Sequence, residues 1–227
     1  MDDRAEKFRR LGQRVLEMYD REPGSLELVG DMNYGAYGIR KFAVRGQDGL
    51  EKFLMSIHHP YGGNDIIEQK DSFESLLLWL EALRRDTDLV VQTPILSPSG
   101  EHLTEVSMDE ETSVLVSLLE WVPGDVISDD DQLASLTPAL MRDMGKVLAK
   151  IHIHASQWEP DRKIVRRESG IEQVAASLED LRQVLPSGRI RQKDFATIEA
   201  ACDKVCNHLS SIEKTSESWG LTHGDFH

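Results

Sequence analysis

The residues best suited to chemistry stand together at Leu221-Thr222-His223-Gly224-Asp225-Phe226-His227. A short apolar run leads into His-Gly-Asp, a pattern that presents one carboxylate from a tight turn. Gly224 lets the backbone turn without a side-chain clash. His223 can anchor that turn by hydrogen bonds, leaving Asp225 to accept a proton from a substrate hydroxyl. His223, Asp225 and His227 could bind a metal in isolation, but the role of loop anchor suits His223 better, and no metal ligand is assigned. The other candidate ligands offer less. His152 and His154 are two apart and point to different faces of a helix, and His58 and His59 diverge on a strand. Cys202 and Cys206 share a helix face with no second Cys pair nearby, so they read as core thiols. Neither a Ser-His-Asp pattern nor a dinucleotide-binding glycine pattern occurs.

A second chemical feature is Asp31-Met32-Asn33-Tyr34-Gly35-Ala36-Tyr37-Gly38. Gly35 and Gly38 would permit the backbone to approach a phosphate closely, or would simply make a turn. The elements that must position these groups follow from periodicity. Ala5–Tyr19 carries Phe8, Leu11, Val15 and Leu16 at helical spacing and ends at Glu22-Pro23-Gly24. Three strands follow at Leu26–Gly30, Tyr37–Val44 (alternating through Ile39, Phe42 and Val44) and Leu50–His58, with a turn at Gly46-Gln47-Asp48-Gly49. His59–Asn64 reads as a loop, and Ile66–Arg85 as a long helix. Val90–Leu96 and Thr112–Trp121 are further strands, with a turn at Ser97–Gly100. After Val122-Pro123-Gly124 helices dominate: one capped at Thr137-Pro138 and running to about His154, then Gly170–Leu185 and Lys193–Lys214.

Composition narrows the classes. With 227 residues, 40% hydrophobic and 29% charged, the chain can bury a core as one large domain or two lobes. A formal charge of −14 argues against general binding to nucleic acid or to an anionic membrane, because both need clustered Lys and Arg. The opening Met1-Asp2-Asp3-Arg4 has no apolar signal region, and no run reaches the roughly 20 apolar residues that span a bilayer. The cytoplasm is the expected compartment. Oligomeric state is not legible.

The order of small sheet, long helix, hinge, helical lobe and His-Gly-Asp loop resembles the aminoglycoside phosphotransferase and choline kinase-like family. Ile57-His58-His59-Pro60 and Leu78-Trp79-Leu80-Glu81-Ala82-Leu83 resemble its middle, and Leu119-Glu120-Trp121-Val122-Pro123-Gly124 its hinge. Leu148–Ala155 followed by Trp158 resembles its first C-lobe helix. The resemblance implies an α+β, two-lobed protein-kinase-like fold, with an N-lobe at 1–121, a hinge at 122–126 and part of a helical C-lobe at 127–227. It implies ATP and Mg2+ as cofactors and a small-molecule hydroxyl as phosphoryl acceptor, with no nucleic-acid or membrane partner. Asp225 and His223 would be catalytic. Asn33, Tyr34, Gly35, Leu54, Ser56, Glu120, Trp121 and Val122 would contact the nucleotide.

Two positions depart from the family pattern. Ser56 stands where a phosphate-binding Lys or Arg is expected, and Leu76 stands where its Glu partner is expected, with Glu74 and Glu68 as displaced candidates. Lys52 shares the face of Ser56 but lies roughly 13 Å away by strand rise, and His58 is another possible donor. The family motif His-Gly-Asp-x-x-x-x-Asn and its downstream metal-binding Asp extend past His227, so the reading expects a truncated chain, inactive alone and prone to aggregate. Two alternatives stay open: a kinase-like scaffold or nucleotide sensor without phosphotransfer, and a protein kinase-like activity.

Overall fold

The computed structural model describes residues 3–21, 25–33, 37–45, 52–60, 66, 69–124, 137–166 and 168–222. The elements are α1 (Asp3–Met18), β1 (Ser25–Asn33), β2 (Tyr37–Arg45), β3 (Lys52–Pro60), α2 (Lys70–Asp86), β4 (Pro94–Ile95), β5 (Thr104–Ser107) and β6 (Ser113–Glu120). Helices α3 (Pro138–Gln157), α4 (Ile171–Val184) and α5 (Gln192–Ser211) follow, with a 3₁₀ turn at Leu185–Ser187. Two compact units result: Met1–Lys150 with Pro160–Val165, and Ile151–Glu159 with Arg166–His227.

In the first unit the sheet order is β1-β2-β3-β6-β4, all antiparallel, and β5 also pairs with β6. Strand β3 lies inside the sheet, and Phe53 to His59 are all buried. That double burial matches a run with few polar side chains on either face. On one face α1 lays Phe8, Leu11, Val15 and Leu16 onto Phe42, Val44, Met55, Ile57, Val116 and Leu118. Gly12 permits this close approach, because a Cβ there would meet Leu26 Cδ1 at 3.2 Å and Met55 Sδ at 3.3 Å. On the opposite face α2 contributes Phe73 and Leu77 to a cluster with Leu54, Ile66, Leu103, Leu115 and Leu119. Alternation along β3 thus sends odd-numbered residues to α1 and even-numbered ones to α2.

Several boundaries differ from the sequence reading. Asp31, Met32 and Asn33 belong to β1 rather than to a loop, because they pair with Arg40, Ile39 and Gly38. Ile39 is two-residue periodic with Lys41, not with Phe42, so it faces away from Val44. His59 and Pro60 extend β3, pairing with Gly38 and Tyr37; a proline is tolerated at a strand end. Helix α2 starts at Lys70, and Ile66 packs in the core before it. Of Val90–Leu96 only Pro94–Ile95 joins the sheet, since Val90 is exposed. The turn at 46–49, loop residues 61–64 and hinge residues 125–126 lie outside the described residues.

In the second unit α4 and α5 pack together across the 3₁₀ turn, which ends on Gly188 at φ 72°. That left-handed conformation is the reason a glycine stands there. Phe195 is buried beneath the Arg182 guanidinium, which is also held by Glu179 and Glu199. Ile153, Ile171, Ile198 and Val205 are exposed. Cys202 and Cys206 are free and half-buried rather than fully buried. His154 is buried and stacks on Trp158, whereas His152 is exposed, as divergent helix positions require. Among the described residues no helix is long and apolar enough to cross a membrane.

Candidate functional site

The sheet face toward α2 carries a polar row that runs across three strands. Register aligns Lys41 on β2 with Ser56 on β3, and Ser56 with Ser117 on β6. The flanking rows are Ala43, Leu54 and Leu119 on one side, and Ile39, His58 and Leu115 on the other. Ser56 and Ser117 are buried and Lys41 is half-buried. This row was not legible in the sequence, because it joins three strands by pairing rather than by spacing.

The structure separates the basic groups that could serve a phosphate. Arg40 points to the α1 face: its guanidinium lies 4.4 Å from the centre of the Phe8 ring and 3.1 Å from Asp31. Lys52 sits at the far end of β3, its Nζ 3.3 Å over the Trp121 ring. His58 is buried and meets the Phe73 ring in a tilted contact, 4.1 Å between centroids. Burial, the nearby Lys41 charge and the neighbouring His59 push its pKa down to about 3. A neutral imidazole carries no fixed positive charge near pH 7, so His58 does not replace a lysine.

The carboxylate side is also changed. Leu76 is exposed on α2, while Phe73 is the residue that meets β3. Glu74 pairs with Arg162 at 3.6 Å, and Ser75 Oγ beside it accepts the Val165 amide, pinning residues 160–165 to α2. Glu68 lies outside the described residues. Between β3 and α2 the structure has a neutral His58–Phe73 contact.

At the end of β6, Glu120 pairs with Phe53 and donates its amide to the Thr93 carbonyl at 2.8 Å. The Glu120 amide is therefore committed to a backbone partner on the β4 side. Trp121 packs against the cluster holding Leu54, and Val122 follows it, half-buried, beyond the end of β6. Asn33 ends β1 opposite Gly38. Tyr34, Gly35, His223 and Asp225 lie outside the described residues. Among the described residues no group of three His, Cys, Asp or Glu side chains is placed to hold a metal ion.

Residues 40–227 match the phosphotransferase enzyme family. The chain belongs to that family. Phosphotransferases similar to it include the amicoumacin kinase of Bacillus subtilis (strain 168), 22% identical over 197 residues, which cover 84% of this chain and 54% of that protein. A solved amicoumacin kinase in complex with AMP-PNP, Ca2+ and Ami has a TM-score of 0.69 at 15% identity, over 98% of this chain and 60% of that one. The microcompartment-associated aminopropanol kinase gives 0.52 at 22% identity, over 78% and 56% of the two chains. These likenesses identify the α+β, kinase-like fold. The chain spans little more than half the length of the curated relative it matches.

Proposed function

We propose that the protein carrying this chain transfers the γ-phosphoryl group of ATP to a hydroxyl of a small molecule in the cytoplasm. The family match over residues 40–227 carries the reading. Relatives named as kinases of amicoumacin and aminopropanol support a small-molecule acceptor over a protein hydroxyl. In this reading Asp225 takes the proton of the attacking hydroxyl, and His223 holds the loop that presents it. The connection from Asn33 through Tyr34 and Gly35 covers the phosphates. Leu54 and Trp121 wall the adenine, whose edge bonds to the Glu120 carbonyl and the Val122 backbone.

Magnesium would neutralise charge on the transferring phosphate when bound. The described residues supply no ligand cluster for it, so no step is drawn through the metal. A second reading, nucleotide binding without transfer, is favoured by one observation: Ser56 and Leu76, where the family pattern expects a charged pair, carry no charge.

Thermal-shift titration of the full-length protein with ATP, adenosine and a panel of amino alcohols, followed by mass spectrometry of the mixtures, separates the readings. A phosphorylated alcohol supports the transferase. Binding of ATP with every alcohol recovered unmodified supports the sensor, and failure to bind ATP sinks both.

A further inference from the structure

We infer that Lys41, on β2, supplies the cation that binds the phosphates of ATP, in place of the strand-β3 residue Ser56. The inference rests on the ATP-binding reading above and assigns a residue within that site. Three observations converge on it. Lys41 and Ser56 are directly paired across β2 and β3, and such pairs have Cα atoms about 4.5–5.5 Å apart. The flexible four-carbon stem of a lysine spans that gap, and the Ser56 side chain beside it is short.

Lys41 also points to the required face. Its neighbours Arg40 and Phe42 are directed toward α1, by contact with Phe8 in one case and by membership of the α1-facing core in the other. Alternation therefore places Lys41 on the α2 face with Ser56 and His58. The Lys41 charge acts on His58, two residues from Ser56 and on the same face.

Two other cations of the sheet are committed elsewhere. Arg40 is paired with Asp31 on the opposite face, and Lys52 is stacked on Trp121. Among the described residues no carboxylate forms an ion pair with Lys41; Asp31 is paired with Arg40 and Glu74 with Arg162. A phosphotransferase needs one fixed cation at the phosphates, because charge neutralisation supplies much of the catalysis. In this chain the charge has moved one strand over, with its ammonium directed to the same region.

Isothermal titration calorimetry of the full-length protein tests this with ATP, ADP and adenosine. The proteins compared are wild type, Lys41→Met, and Lys41→Met combined with Ser56→Lys. The expected result is ATP and ADP affinity about ten- to a hundredfold weaker in Lys41→Met, with adenosine affinity unchanged. Restoring a lysine at position 56 recovers the loss. Thermal melting without nucleotide checks that the single variant is folded. ATP binding equal to wild type in Lys41→Met overturns the inference alone, as does an equal loss for adenosine. Failure of the wild type to bind ATP overturns the proposed function and this inference together.

Discussion

Acidification should unfold this protein through His58, and the size of the effect follows from its burial. The imidazole is enclosed between β3 and Phe73, and Nδ1 has no hydrogen-bond partner. Burial and the Lys41 charge hold its pKa near 3 in the folded state, against 6.5 when unfolded. Between those values the unfolded chain binds the proton and the folded chain does not, so stability rises with pH. The neutral-state advantage is fully present above pH 6.5 and is lost as pH falls toward 3. Integrating the linkage from about pH 7.5 to about pH 4.5 gives a loss of about 2.6 kcal/mol from this group. His58→Phe keeps an aromatic ring against Phe73 and removes the titration. Urea denaturation of both proteins across that range is the assay. The variant should gain on the wild type by about 2–3 kcal/mol as pH falls. Parallel stability curves would show that His58 is not held neutral by the fold, and the burial argument would be wrong.

Two further perturbations test the packing around the site. Gly12→Val drives a branched side chain into Leu26 and Met55 and should cost about 1–3 kcal/mol in urea denaturation; a neutral or stabilising result would mean α1 does not press on the sheet as closely as described. Asp31→Ala should cost more than Arg40→Met, because it strands a guanidinium only 8% exposed, whereas Met keeps the contact with Phe8. Equal losses would remove the case for Arg40 as a committed structural charge.

Much of the fold was legible because the helices are strongly patterned. Phe8, Leu11, Val15 and Leu16 mark the buried face of α1, and Thr137 caps α3 as its type suggests, accepting the Leu140 amide at 3.2 Å. Strand ends were less legible, because a ladder continues as far as its partner allows. His59 and Pro60 look like loop residues but are paired with β2, while the apolar start of Val90–Leu96 finds no partner. The site was legible as motif and position, not as cross-strand geometry. Ser56 could be placed on its face by counting, but its neighbour Lys41 belongs to another strand. Only the register brings them together. His58 looked like a possible cation, and burial makes it a neutral ring.

The most direct test of the central claim is ATP-dependent phosphoryl transfer to small-molecule hydroxyls by the full-length protein, compared with its Asp225→Asn variant. Wild type should yield a phosphorylated product. Asp225→Asn should form it about 10²–10⁴-fold more slowly while binding ATP as tightly as before. A variant as fast as wild type would remove Asp225 from the chemistry, and ATP binding with no product from any hydroxyl would contradict the transferase itself.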